Sequence, residues 1–194
     1  MFTGQEALDR RLSGYDEDEA GRRKLLEDEV KELTPSGATI DLETVTGWQD
    51  SEQPLRIKCR LHAARFAFFT QQRMLFPMAV FQANRKNPFT HVYRVQPVYF
   101  QHGYREIDKI TISIPAAYRV EALPSEADNK TPFAVFHAKR NSEGGVLHLE
   151  RQSDMNGYYF PLQSYGPLRD YFEKMRQSDV ENVVLHQVDT AQIH

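Results

Sequence analysis

The sequence holds one cysteine and one tryptophan in 194 residues, and it has no apolar run of the roughly 18 residues that read as a membrane-spanning helix. A solitary Cys59 excludes an internal disulfide and any cysteine-rich zinc site. One free thiol suits a reducing or an oxidising compartment equally, so it leaves the location open. Met1 to Arg11 lacks the apolar centre of a signal peptide, and any export signal is expected outside this sequence. A basic excess is also missing: 24 Lys and Arg stand against 27 Asp and Glu, for a net charge of −3 and a pI near 6.2. That balance argues against a nucleic-acid partner. The phosphate loops G-x-G-x-x-G and G-x-x-x-x-G-K-S/T, the G-x-S-x-G elbow and H-E-x-x-H do not occur. His62, His91, His102, His137, His148, His186 and His194 form no close ligand pair and have no acidic cluster beside them. Neither a metal nor a cofactor is expected.

Aromatic residues, in contrast, are plentiful. The chain carries 12 Phe and 9 Tyr, with 40% hydrophobic and 26% charged residues. This is the composition of an ordinary globular protein and excludes a disordered one. A chain of this length buries roughly 70% of its unfolded surface. It fits one compact domain, residues 1–194, or two packed halves, 1–86 (helices plus a hairpin) and 87–194 (β-rich with a C-terminal helix).

The pattern opens with helices. Gly4 to Leu12 predicts a short one, and Asp16 to Leu33 a longer one with four acids, Asp16 to Glu19, at the positive end of its dipole. Glu19 with Arg23 and Glu27 with Lys31 are spaced for i, i+4 pairing, and Pro35, Ser36 and Gly37 stop the helix. The period then changes to two. Ile40 to Val45 and Leu55 to Leu61 alternate as antiparallel strands, and the parity predicts Asp41 opposite Arg60 and Glu43 opposite Lys58. Met74 to Phe81, interrupted by Pro77, reads as an edge strand or bulge. Further strands are predicted at Thr90–Val95, Val98–Phe100 and Ile110–Ile114. A hairpin joins Pro132–Lys139 to Val146–Gln152 through Asn141 to Gly145. Ser164 is placed to cap a helix that carries Tyr165, Leu168, Phe172 and Met175 on one face, and Asn182–His186 forms a last strand. The expected fold is mainly β within the α+β class: an antiparallel β-sandwich with helices near both chain ends.

Few residues present themselves as a site. Cys59 shares a strand face with Leu55, Ile57 and Leu61 while His62 points away, which describes a core cysteine and not an activated nucleophile. His137 and His148 lie on opposite arms of one predicted hairpin and read as ordinary sheet residues. Arg56, Lys58 and Arg60 form either a basic stripe or, with Asp41 and Glu43, a self-neutralised face. The parity match favours the second reading. The aromatics Phe66, Phe68, Phe69, Tyr99, Phe100 and Tyr104 are the remaining candidates, as core, as an interface or as a platform for a sugar or peptide.

The order of short motifs carries more. Thr3-Gly4-Gln5-Glu6-Ala7 and Arg10-Arg11 come first, then Pro88-Phe89-Thr90-His91, Arg94, Pro97-Val98-Tyr99-Phe100, Tyr104-Arg105-Glu106 and Asp108. Ile114-Pro115, Tyr118, Val120-Glu121 and Leu123-Pro124 follow. Tyr159-Phe160-Pro161, Tyr165, Leu168-Arg169, Phe172 and Val183-Val184-Leu185 complete the series. Together they resemble the C-terminal region of bacterial transglutaminase-like proteins that begin with a β-rich domain of unknown function. Gln101-His102-Gly103 departs from the more apolar residues usual there. The resemblance implies an upstream papain-like core with a Cys-His-Asp triad as the partner, a periplasmic or envelope location, and a Met1 that cuts a longer parent just before a helix. Cys59 does not sit at a helix start as the family nucleophile does, so no catalytic residue carries over. The expected role is a non-catalytic accessory or substrate-presenting domain. An independent glycan- or peptide-binding module is the alternative, and a small hydrolase in its own right is a third reading.

Overall fold

The structure, a computed structural model, describes residues 1–188. His194 lies outside the described residues. The chain divides into two compact units, Met1–Arg65 and Phe66 onward. The division considered from sequence, after residue 86, falls later because two strands between residues 68 and 77 pair into the second unit's sheet.

The first unit contains α1 (Gly4–Ser13), α2 (Glu19–Leu33), β1 (Thr39–Thr46) and β2 (Arg56–His62). The longer helix starts at Glu19 and not at Asp16, because Asp18 is its extended N-cap and its carboxylate accepts from the Gly21 N–H at 2.7 Å. Glu27 and Lys31 pair at 2.7 Å as expected. The expected Glu19–Arg23 pair gives way to a bond from the Arg23 guanidinium to the Leu42 carbonyl, which ties α2 to β1. Asp41 faces Arg60 across the ladder as predicted, but a bulge at Glu43 shifts the register so that Lys58 faces Thr44. The freed Glu43 carboxylate takes both bases, Lys58 at 2.7 Å and Arg60 at 3.0 Å. Ala7, Leu26, Leu42 and Leu55 form a small core, with Trp48, Ile57 and Cys59 packed on it.

The second unit holds two four-stranded antiparallel sheets. In one, β3 (Phe68–Thr70), β4 (Arg73–Pro77), β12 (Asn182–Gln187) and β7 (Tyr118–Ala122) lie side by side in that order. In the other the order is β6 (Tyr104–Ser113), β10 (Val146–Met155), β9 (Ala134–Glu143) and β8 (Ala127–Lys130). A short ribbon pairs β5 (Val98–Tyr99) with β11 (Tyr159–Phe160), and α3 (Tyr165–Val180) follows a 3-10 turn at Leu162–Ser164. Side chains from both large sheets and from α3 meet in one core that includes Phe76, Phe136, Leu147, Leu168 and Leu185. The mainly β, α+β class with helices towards both ends is therefore what the chain adopts.

Several elements differ from expectation for identifiable reasons. β4 is an interior strand, not an edge, and Pro77 is tolerated because it is the last strand residue. Thr90–Val95 is an open loop: Pro88 and Pro97 bracket it, and it has no ladder partner among the described residues. Ser164 makes no side-chain cap bond to α3. His137 faces Gln152 and His148 faces Asn141, so the two histidines are not cross-strand partners. The β9–β10 hairpin forms as predicted, and Gly144 and Gly145 have φ of +58° and +78°, the paired positive values of a tight two-residue hairpin turn.

Candidate functional site

The six aromatics proposed from sequence separate into two groups. Phe66 packs on Phe76, with ring centroids 6.2 Å apart. Phe100 and Tyr104 belong to a buried aromatic cluster in which Phe100 meets Phe89 at 6.3 Å and Phe160 at 5.6 Å, edge to face. Burial pushes the Tyr104 phenol up to about 12, with Glu106 adding to the effect. These three are core, not platform. Phe68 and Phe69 project from the edge strand β3, and Tyr99 is 69% exposed.

Tyr99 is one of several exposed aromatic residues close together in the chain. Its ring lies 4.9 Å from that of Tyr159, across the β5–β11 ribbon, and Tyr158 beside it is also exposed. The loop before it presents Val92, Tyr93 and Val95, the last two 87% and 90% exposed. The loop is held at its root: the Tyr165 hydroxyl donates to the His91 carbonyl at 2.5 Å, and the Arg94 guanidinium lies 6.0 Å from the Tyr165 ring centre. The Phe100 N–H donates to the Tyr158 carbonyl at 2.8 Å. Phe100 and Phe160, the residues that follow Tyr99 and Tyr159, pack with Phe89 and Phe172 in the core. Val92, Tyr93, Val95 and Tyr158 were not anticipated from sequence. The available signal is the pair of prolines, Pro88 and Pro97, that bracket Thr90–Val95, with apolar residues at 92, 93 and 95 too irregular for the strand predicted there.

A second arrangement absent from the sequence reading is a buried ion network. Arg151 is 1% exposed and donates from Nε and Nη2 to the two oxygens of Asp179 at 2.7 and 2.9 Å. Its Nη1 reaches Glu106 and Asp108, each at 3.2 Å, and its guanidinium lies 5.3 Å from the Phe136 ring centre. Gln82 donates to the same two carboxylates, and Arg85 pairs with Glu106. Burial pushes Asp108 and Asp179 above the ordinary range while Arg151 pulls them back. Burial also acts on Glu106, but Arg85 and Arg151 outweigh it and leave it below its ordinary value. The two parallel bonds to Asp179 are those of an ionised carboxylate gripped by a guanidinium. All three guanidinium nitrogens of Arg151 donate to carboxylates inside the fold, so the network clamps β6, β10, α3 and the Gln82 turn together.

Cys59 is half-buried against the first core, and burial raises its thiol pKa. His137 bonds Asp128 at 2.6 Å, and His148 lies beside Thr111. No group of three metal-ligating side chains occurs among the described residues. In the first unit, a half-open cavity of about 480 Å³ lies between α2 and the end of β1, lined by Glu19, Arg22, Arg23, Val45 and Trp48 among others.

Fold and surface together define an α+β protein whose β-rich second unit buries its charged cluster and displays aromatic rings. Residues 72–185 match the family model of a domain of unknown function with solved structure, DUF3858, and the chain belongs to that family. No curated protein matches the sequence. A crystal structure of a "putative protease" from Parabacteroides distasonis is similar over 54% of this chain at 13% identity, with a TM-score of 0.45. The likeness is too slight to carry an argument, and the aligned part spans 20% of that protein's length.

Proposed function

We propose that this chain is a non-catalytic accessory domain that docks, through the face centred on Tyr93, Tyr99 and Tyr159, on a papain-like transglutaminase core within a longer envelope protein. The observation that supports the reading is the exposed Tyr99–Tyr159 pair, preceded in the chain by a loop that exposes Val92, Tyr93 and Val95. Tyrosines offer broad contact area at little entropic cost, and contiguous exposed apolar patches mark interaction sites. Use of the strongest ion cluster as an internal clamp fits an accessory role. The catalytic partner, the envelope location and the substrate-presenting role rest on the motif resemblance. A second reading, glycan or peptide binding, draws on the same pair of exposed tyrosines, whose rings offer apolar faces to a sugar.

The test is the triple variant Tyr93→Ser/Val95→Ser/Tyr99→Ser in the longer protein. These side chains are exposed, so the domain should keep its circular dichroism. Docking predicts that the neighbouring core loses thermal stability and that limited proteolysis separates the two readily. An unchanged core would overturn the reading, and loss of oligosaccharide binding by the same variant would favour the second.

A further inference from the structure

The half-open cavity in the first unit carries chemistry that the docking reading does not use. Its floor is Trp48, whose indole lies directly against the backbone of Gly14: a methyl group there would come within 2.6 Å of the ring. The Arg22 guanidinium lies 5.5 Å from the Trp48 ring centre and is steadied by its bond to the Gly14 carbonyl at 3.1 Å. The loop that carries Trp48 is fixed from behind. One guanidinium, Arg11, donates to the carbonyls of Gly47, Asp50 and Gln53, at 2.5, 2.8 and 2.7 Å from Nη2. Arg23 lines the wall while bonded to the Leu42 carbonyl, and exposed Glu19 sits at the lip. The cavity is therefore preorganised, at about 480 Å³ is large enough for a small organic molecule, and combines an indole and Val45 with two cations against one anion.

We infer that this cleft binds a carboxylate carried on a flat apolar group, such as an aromatic acid or a peptide ending in an aromatic residue with a free carboxylate. The indole and Val45 would take the flat group, and Arg22 and Arg23 the carboxylate. A guanidinium recognises a carboxylate by geometry as well as charge, whereas an amide or a bare aliphatic acid satisfies only one half of the site.

The chain's single tryptophan lines the cleft, so its emission reports occupancy in the full chain. Titration with benzoate, or with acetyl-Gly-Phe bearing a free carboxylate, should give a saturable change in emission. Whichever binds more tightly identifies a free acid or a peptide end as the source. Benzamide, acetate and inorganic phosphate should act much more weakly. Arg23→Gln should weaken benzoate binding about tenfold, the loss of one charge-assisted hydrogen bond. Because that change also removes the bond to Leu42, Glu19→Gln provides the independent arm: removing the anion from the exposed lip should tighten binding. Absence of a saturable response to both carboxylates, a benzamide or phosphate response equal to that of benzoate, or an affinity unmoved by Glu19→Gln would overturn the inference. The docking face lies in the other unit, so either result leaves that proposal where it stands.

Discussion

Replacing Arg151 by methionine keeps the unbranched apolar stem of the side chain and deletes the guanidinium and its charge. Arg151 is the cation for Asp179, through two bonds of 2.7 and 2.9 Å, and it also faces Glu106 and Asp108. In the variant, Glu106 retains Arg85 and Asp108 retains the Gln82 amide, whereas Asp179, 4% exposed, loses both guanidinium hydrogen bonds and keeps only the more distant attraction of Arg140. Removing one member of a buried pair costs about 3–5 kcal/mol, because the stranded charge has lost its water and its partner together. Arg151→Met should therefore cost that much in urea unfolding followed by far-UV circular dichroism. Trp48 emission is the wrong probe, since it reports the other unit. The companion variant Arg151→Met/Asp179→Leu removes both charges and should recover much of the loss, with a coupling of about 1–3 kcal/mol. A single-variant loss below about 1 kcal/mol, or a double variant that merely sums the two singles, would refute the view that this network clamps the fold.

Other consequences are more local. Gly14→Ala should cost about 1–3 kcal/mol and shift Trp48 emission, because the new methyl must displace an indole ring 2.6 Å away; unchanged emission would count against the packing described. Cys59 should react with a thiol reagent more slowly in the folded chain than in urea, since burial raises its pKa and half covers it; equal rates would contradict this. Acid should destabilise the second unit. Glu173 is held at about 2 by hydrogen bonds from Arg176 and Asn87, against an ordinary 4.5, and Asp154 and Glu121 are lowered by Arg105 and Arg73. The folded chain binds these protons less tightly than the unfolded one, so their contribution is intact above pH 4.5 and lost as pH falls towards 2. Asp108, raised by burial, works in the opposite sense and offsets part of the loss. Glu173→Gln should flatten the acid side of a plot of Tm against pH.

Much of the architecture was legible because it follows period and punctuation. The β1–β2 pairing, the Gly144-Gly145 hairpin and the apolar face of α3 each rest on local pattern, and each is present. Pattern fails where neighbours decide. Met74–Phe81 looks like an edge because of Pro77, but the strand that covers its other side is more than a hundred residues away in sequence, at Asn182–Gln187. The Glu43 bulge cannot be inferred from a charge match that the alternative register satisfies as well. The ion network was partly readable: Leu147, Leu149, Arg151, Ser153 and Met155 continue one inward parity along β10, as Ala134, Phe136, Ala138 and Arg140 do along β9. An arginine on an inward parity implies buried acceptors, though not which ones: carboxylates surround Arg151, whereas Arg140 donates to the Ser125 carbonyl and to the Ser178 carbonyl and hydroxyl. The exposed face was the least legible, because exposure of an aromatic residue is set by the packing of its surroundings. Tyr99 and Phe100 are adjacent in sequence, but Phe100 packs among Phe89, Phe160 and Phe172 against the core, whereas Tyr99 meets the ring of Tyr159 and stays 69% exposed.

The proposed docking requires that the Tyr93–Tyr99–Tyr159 face be covered by a neighbouring domain. Backbone hydrogen exchange read by mass spectrometry, on this chain alone and on the longer protein proposed to carry a transglutaminase-like core, compares the two directly. Docking predicts that peptides covering residues 90–99 and 157–160 exchange more slowly in the longer protein, while the β9–β10 hairpin, already protected by its ladder, is unchanged. Equal exchange of those peptides in both proteins would contradict the proposal.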